Sequence, residues 1–179
     1  MGSNKVFIAT SLDGFIADKN GSVDFLYKYP EPEGEDMGYY KFMSGIDALL
    51  MGRKTFETVL GFGVAWPYTK PVFVWSSTLK AIPEELNGRA FLIKGTPVQL
   101  IAQLNESGYH HLYIDGGQTI RSFLSENLID EMTITTIPVL LGEGIPLFGY
   151  LRTPLFFNCV NSKKFEHGIS QSNYSRITV

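Results

Sequence analysis

Short apolar runs rich in Val, Ile and Phe recur along the first two thirds of the chain, separated by stretches whose apolar residues return every three or four positions. Runs of the first kind suit strands buried on both faces, and the spacing between them suits amphipathic helices. The pattern predicts strands near 5–10, 46–51, 71–76, 90–94 and 111–115, a longer strand near 131–140, and helices over 35–44, 53–60, 97–106 and 118–126. Such alternation implies βαβ units around a mostly parallel sheet. The helix over 97–106 has its punctuation in place: Thr96 as N-cap, Pro97 at the first helical position and Gly108 just past the end.

Beyond residue 127 the pattern changes. "LIDEMTITTIPVLLG", "LFFNCVNSKKF" and "ISQSNYSRITV" leave no room for helices, and "EHG" at 166–168 reads as a hairpin turn, so a parallel core should carry an antiparallel C-terminal end. Cys159, inside one of these strands, reads as core. No repeat or linker interrupts the chain, and residues 1–179 are expected to form one domain.

Composition narrows the function classes. With 44% hydrophobic and 18% charged residues the chain is globular in character. One cysteine excludes an internal disulfide framework, and with three histidines it falls short of a Cys/His zinc site, so no metal is expected and a reducing, cytoplasmic setting follows. A net charge of -3 without a basic block argues against nucleic acid as a partner, and no apolar run is long enough to cross a membrane. An anion bound by this chain should be small and held locally.

Three stretches offer such a hold. "ALLM" delivers the chain to Gly52, after which Arg53, Lys54 and Thr55 fill the first turn of a helix, where free N–H groups and the helix dipole attract an anion. "VFVWSSTLK" ends a strand in Ser76-Ser77-Thr78, whose hydroxyls can reach a phosphate or cap the next segment. "YIDGGQTIRSFL" ends another in Gly116-Gly117, which lets backbone approach a pyrophosphate or simply makes a tight turn, without the GxGxxG of a Rossmann site. On one parallel sheet these exits converge at the carboxyl ends of the strands, where a single dinucleotide could touch all three.

Together with "IATSLDGFIA" at 8–17, "MGRKTFE" at 51–57, "VWSS" at 74–77, "IDGG" at 114–117 and "ITTIPVLLGEGIPLF" at 134–148, these stretches resemble the dihydrofolate reductase superfamily, most of all its branch containing the riboflavin-biosynthesis reductase domain (RibD C-terminal-like). The resemblance runs in order over essentially the whole chain. It implies a three-layer α/β/α fold with a mixed, mostly parallel sheet and a C-terminal hairpin, and NADPH-dependent hydride transfer to a small planar heterocycle that is pyrimidine-, pterin- or flavin-like. It assigns Gly52, Arg53, Lys54 and Thr55 to the cofactor phosphates, with Ser76 and Ser77 at the 2'-phosphate. Gly116, Gly117, Gln118 and Thr119 would follow the pyrophosphate, and Ala9, Ile16 and the loop from 11 to 21 would lie against the nicotinamide. The "GEG" loop at 142–144 would steady that loop. For the proton, Asp36 falls opposite the family's active-site acid, with Thr135 at the threonine that bonds it. Asp115 is the second candidate, matching an acid that contacts substrate in the riboflavin-pathway reductases.

An Asp at position 36 is, in general, more often a helix N-terminal residue than a catalytic acid. Two departures tell against folate: Lys70 stands where folate reductases place an arginine fork, and Phe25 where they place a tryptophan. The single cysteine also excludes a fused zinc deaminase. Aromatics at Phe25, Tyr27, Tyr29, Tyr39, Tyr40, Phe62, Trp66 and Tyr68 flank the expected substrate cleft. Relatives suggest a homodimer. A non-catalytic nucleotide-binding module, a true dihydrofolate reductase and an oligomerisation protein stand as alternatives.

Overall fold

The computed structural model describes residues 2–29 and 36–177. The chain builds, in order, β1 (Ser3–Ser11), β2 (Phe15–Ala17), α1 (Asp24–Tyr27), α2 (Tyr39–Ser44), β3 (Ala48–Gly52), α3 (Arg53–Gly61), β4 (Val72–Trp75), β5 (Ala90–Ile93), α4 (Pro97–Glu106), β6 (His111–Asp115), α5 (Gly117–Ser125), β7 (Glu131–Ile137), β8 (Ile145–Pro146), β9 (Phe157–Lys164) and β10 (Ser170–Arg176). Eight strands form one sheet in the order β5-β4-β3-β6-β1-β7-β10-β9, and β2 pairs with β8 in a separate ladder. From β5 to β7 every pairing is parallel, while β10 runs antiparallel to both β7 and β9.

The central strands are buried on both faces, which is why "ALLM" reads as a continuous apolar run instead of an alternation. Leu100 and Leu104 of α4 and Ile120 and Phe123 of α5 pack on Val6, Leu50, Leu112 and Ile114 on one face. Phe56 of α3, with Phe42 and Tyr39 of α2, packs on Leu49, Met51, Val72, Val74 and Tyr113 on the other. The result is the expected three-layer α/β/α arrangement with its antiparallel C-terminal hairpin.

Boundaries moved where backbone chemistry intervened. The strand expected over 131–140 stops at Ile137, because Pro138 has no N–H and Val139 turns back to bond Ile137 O at 2.8 Å. The helix expected over 35–44 starts at Tyr39, after the left-handed Gly38 with φ 84°, and its residue 35 lies outside the described residues. The "EHG" turn joins β9 to β10 through left-handed His167 and Gly168. Cys159 is not core: β9 forms the sheet edge and its thiol-bearing residue is exposed. The short β2–β8 pair and α1 carry too few residues for a periodicity to show.

The capping box of α4 is fully formed. Thr96 Oγ1 accepts from Gln99 N at 3.4 Å and Gln99 Oε1 accepts from Thr96 N at 2.9 Å. Thr96→Ala is therefore expected to lower unfolding free energy by about 1 kcal/mol in urea titrations, and an unchanged midpoint would show that water caps the helix equally well.

Candidate active site

Adjacent strands β3 and β6, aligned Met51 beside Asp115, send their chains in opposite directions: α3 leads to β4 on one side and α5 to β7 on the other. A crevice opens at such a reversal, beyond the carboxyl ends of the strands. Gly52 and Gly116, which precede the two helices, let the helix starts interlock. A Cβ on Gly116 would lie 2.1 Å from Thr55 Oγ1 of α3, and a Cβ on Gly52 would lie 3.1 Å from Thr119 Oγ1 of α5. Gly116 also has φ 88°, which disfavours any side chain. Gly117 is covered by Ile16, whose Cδ1 would stand 2.5 Å from a Cβ there, with Arg121 Nη1 at 3.1 Å.

Neither α3 nor α5 has a side-chain cap or an acid in its first turn among the described residues, in contrast to α4. Their leading N–H groups face the rim with Arg53 and Lys54 exposed beside them. Arg53 Nε has only a loose partner, Glu57 Oε1 at 3.7 Å. One strand further out, Ser76 is buried and its Oγ accepts from Thr78 N at 3.2 Å and Leu79 N at 3.0 Å, so it serves as the cap of the following turn. Ser77 and, on α5, Gln118 are the outward-facing groups at those positions.

Ile16 reaches Gly117 because the 11–21 loop is stapled to the 138–147 segment. Asp13 accepts from Ser11 Oγ at 2.6 Å, Gly142 N at 2.8 Å and Leu141 N at 3.2 Å. Bonds to Asp13 hold its carboxyl below the ordinary value, the Ser11 hydroxyl first among them. The β2–β8 ladder adds Ala17 beside Ile145, and Lys19 meets Glu143 at 2.6 Å. Gly144 passes so close that a Cβ would stand 2.3 Å from Ala17 O.

On the α2–α3 face of the sheet, Asp115 ends β6 among aromatic rings. Burial pushes its carboxyl up to about 6, against the pull of the Gly116 N–H, at 2.8 Å from Oδ1, and the Tyr113 hydroxyl. Burial likewise raises the phenols of Tyr39, Tyr68 and Tyr113, and the charge of Asp115 adds to each. Tyr113 donates to Phe7 O at 2.7 Å. Trp66 packs edge-on to Tyr68 at 5.2 Å, whereas Tyr27, Tyr40 and Phe62 point to solvent and Phe25 and Tyr29 belong to a separate cluster with Ile137 and Phe165.

Asp36 has the opposite environment. It is exposed, accepts from Tyr40 N at 2.5 Å and Gly38 N at 3.0 Å, and is held below the ordinary carboxylate value by those bonds, Tyr40 first. Thr135, paired with Ala9 across β1 and β7, accepts from Gln171 Nε2 at 2.9 Å, where the resemblance put Asp36 as its partner. Among the described residues no cluster of His, Cys, Asp and Glu could hold a metal ion, and no helix is long and apolar enough to cross a membrane.

Residues 5–170 match the model of the RibD C-terminal domain. The chain belongs to that family. It is similar to YwjB of Bacillus subtilis (strain 168), 35% identical over 96% of each chain. It is also similar in structure to a candidate riboflavin biosynthesis protein from Shewanella sp. PV-4, with TM-score 0.95 and 49% identity over 99% of this chain and 100% of that one. A dihydrofolate reductase from Enterococcus faecalis, solved with NADP(H), shares the fold at TM-score 0.68 and 17% identity over 99% of this chain and 98% of that one.

Within this RibD C-terminal domain, Gly52, Thr55, Gly116, Gly117, Thr119 and Ile16 come into direct contact, with Arg53, Lys54 and Gln118 on the same helix turns. Asp115 lies one step inside that rim; Ala9 lies on the next strand, β1, and Thr135 one strand further, on β7, while Asp36 stands apart on the α2 turn. Sequence reasoning missed Arg121, which reaches back from α5 to Gly117 and donates to Pro146 O. The four-residue spacing from Gly117 was its signal, since long helical side chains point toward the N-terminus.

Two outcomes follow. Gly116→Ala collides with Thr55 in left-handed backbone and should cost about 1–3 kcal/mol, of which Thr55→Ala recovers the collision but not the φ strain; purely additive losses in a urea double-mutant cycle would contradict the interlock. Asp115, with a folded value of about 6 against 3.8 as the reference, holds more protons folded than unfolded between those values. Its contribution to stability is greatest at low pH and is lost as pH rises through that window. Asp115→Asn should therefore flatten the decline in Tm between pH 4 and 7, and an unaltered slope would mean that the carboxyl is solvated.

Proposed function

We propose that the protein is an NADPH-dependent reductase of a small planar heterocycle, pyrimidine-, pterin- or flavin-like, with residues 1–179 acting as one cytoplasmic domain. The carrying observation is the adjacency, at the neighbouring ends of β3 and β6, of an uncapped, cationic pair of helix starts and the half-buried Asp115 carboxyl. Gly52, Arg53, Lys54 and Thr55 with Gly116, Gly117, Gln118 and Thr119 would hold the cofactor phosphates, and Ser77, with the Ser76 turn behind it, would approach the 2'-phosphate. That a dinucleotide fits is supported by the starts of α3 and α5, which have no side-chain cap and no acid in the first turn, with Arg53 and Lys54 exposed beside them. Ile16 and Ala9 would line the redox end. When bound, NADPH supplies a hydride, and reduction of a C=N or C=O bond then needs a proton.

Asp115 is the residue suited to hold that proton. A carboxyl near 6 is protonated in a useful fraction near neutrality, while Asp36, ionised and occupied by two N–H groups, is not. Thr135, bonded to Gln171, shapes the floor. The rings of Tyr39, Tyr68 and Trp66 exclude water and offer flat surface to a flat substrate. A homodimer is supported by apolar side chains left on the surface, Leu140, Phe148 and Tyr150 on the 138–151 segment and Phe156 and Val160 at the β9 edge.

Calorimetry should detect NADPH binding that exceeds NADH binding and weakens in Arg53→Ala. A panel of pyrimidines, pterins and flavin-like rings should include one that drives NADPH oxidation, with kcat falling as pH rises above about 6. Asp115→Asn should lower that kcat by about 10²–10⁴-fold while NADPH affinity persists. No heat on adding NADPH would sink the reading.

A further inference from the structure

The α2–α3 face of the sheet carries a polar row that the reaction as proposed leaves unexplained. Thr133 and Thr135 of β7 sit opposite Asn173 and Gln171 of β10. Asn173 Nδ2 donates to Thr133 Oγ1 at 2.8 Å and remains within the sheet. Gln171 does more: its Nε2 donates to Thr135 Oγ1 at 2.9 Å and to Met37 O at 3.1 Å, from a side chain in a residue only 8% exposed. One amide therefore joins the sheet floor to the segment entering α2.

That segment needs holding. Met37 has φ 50° and Gly38 φ 84°, two successive left-handed residues, the first with a Cβ that disfavours the conformation. The Asp36 carboxylate fixes the turn from the solvent side, through the N–H groups of Gly38 and Tyr40. α2 itself is six residues long with none fully buried; Tyr39, Phe42 and Met43 pack partly on the sheet and Met37 on the Phe25–Phe165 cluster, and Gln171 adds a polar tie at the turn itself. Yet α2 supplies the cleft wall: Tyr39 stands edge-on to Phe7 at 5.6 Å, and Phe42 packs at 5.0 Å on both Phe7 and Tyr113.

We propose that Gln171 is a positioning residue: its amide pins the strained Met37 turn to the sheet floor and thereby sets α2, with Tyr39, as the wall of the Asp115 cleft. The use of that cleft rests on the reductase reading, but the pinning does not. Loss of the two donated bonds lets the turn relax away from the left-handed region, and the cleft widens on the substrate side while the phosphate rim keeps its shape.

The test is amide hydrogen exchange on the full chain, without cofactor. Gln171→Leu keeps the bulk and removes the donors; amides of Tyr40 and Phe42 should exchange about tenfold faster, with β1 and β3 unmoved. If the leucine variant fails to fold, Gln171→Glu, which keeps the shape but not the donors, should give the same local pattern. Unchanged exchange in α2, or acceleration spread equally over β1 and β3, would each overturn the proposal. In calorimetry the Gln171→Leu variant should bind NADPH within about twofold of wild type, and a larger loss would place Gln171 at the cofactor instead. A wild-type protein that binds no NADPH ends the reductase reading and leaves the exchange result standing.

Discussion

Everything at the strand ends depends on how closely α3 and α5 can start. Their leading turns approach because Gly52 and Gly116 each yield the space of a side chain to a threonine from the opposite helix. The contact is reciprocal, so each helix fixes the origin of the other. Two positive helix ends side by side repel weakly, and an uncapped pair tolerates this only when solvent or an anion answers the unsatisfied N–H groups. Arg53 and Lys54 deepen the positive field at the same spot. An arrangement that is costly alone becomes favourable around a phosphate.

The 11–21 loop extends the same constraint. Ile16 can lie on Gly117 only because nothing projects from Gly117, and the loop stays there because Asp13 gathers three donors from its own turn and the 141–142 backbone. The Lys19–Glu143 pair is exposed and worth little by itself. The ladder between β2 and β8 and the bare Gly144 set the separation of the two segments. The loop is therefore a packed part of the crevice wall, and Arg121, touching Gly117 and Pro146 O, ties that wall to the helix that would face the phosphates.

Much of this was legible in the sequence because parallel strands are local statements: each apolar run is buried on both faces and each helix begins where a strand ends. Gly52 and the Gly116-Gly117 pair could be read at their exits for the same reason. Ser76 could be read only as a hydroxyl with two uses, and the backbone at Thr78 and Leu79 decided for capping. Cys159 was misread because apolar spacing does not reveal that β9 lies at the sheet edge, where its residues are mostly exposed. Gln171 and Met37 left no trace at all. Their contact joins residues 134 positions apart, and only strand pairing brings them together.

The two candidate acids show how environment outweighs residue type. Both accept N–H groups at the start of a helix, and that influence alone favours the ionised form. At exposed Asp36 the N–H groups of Tyr40 and Gly38 outweigh a smaller desolvation penalty, and its pKa falls. At Asp115 the Gly116 N–H and the Tyr113 hydroxyl pull in the same downward direction, and α5 adds its positive end. Burial still wins, raising the value to about 6. The raised value at Asp115 is thus a property of its burial and not of its hydrogen bonds, which pull the other way. The coupling also runs outward: the charge of Asp115 adds to the burial that raises the phenol of Tyr39, which α2 carries although none of its residues is fully buried.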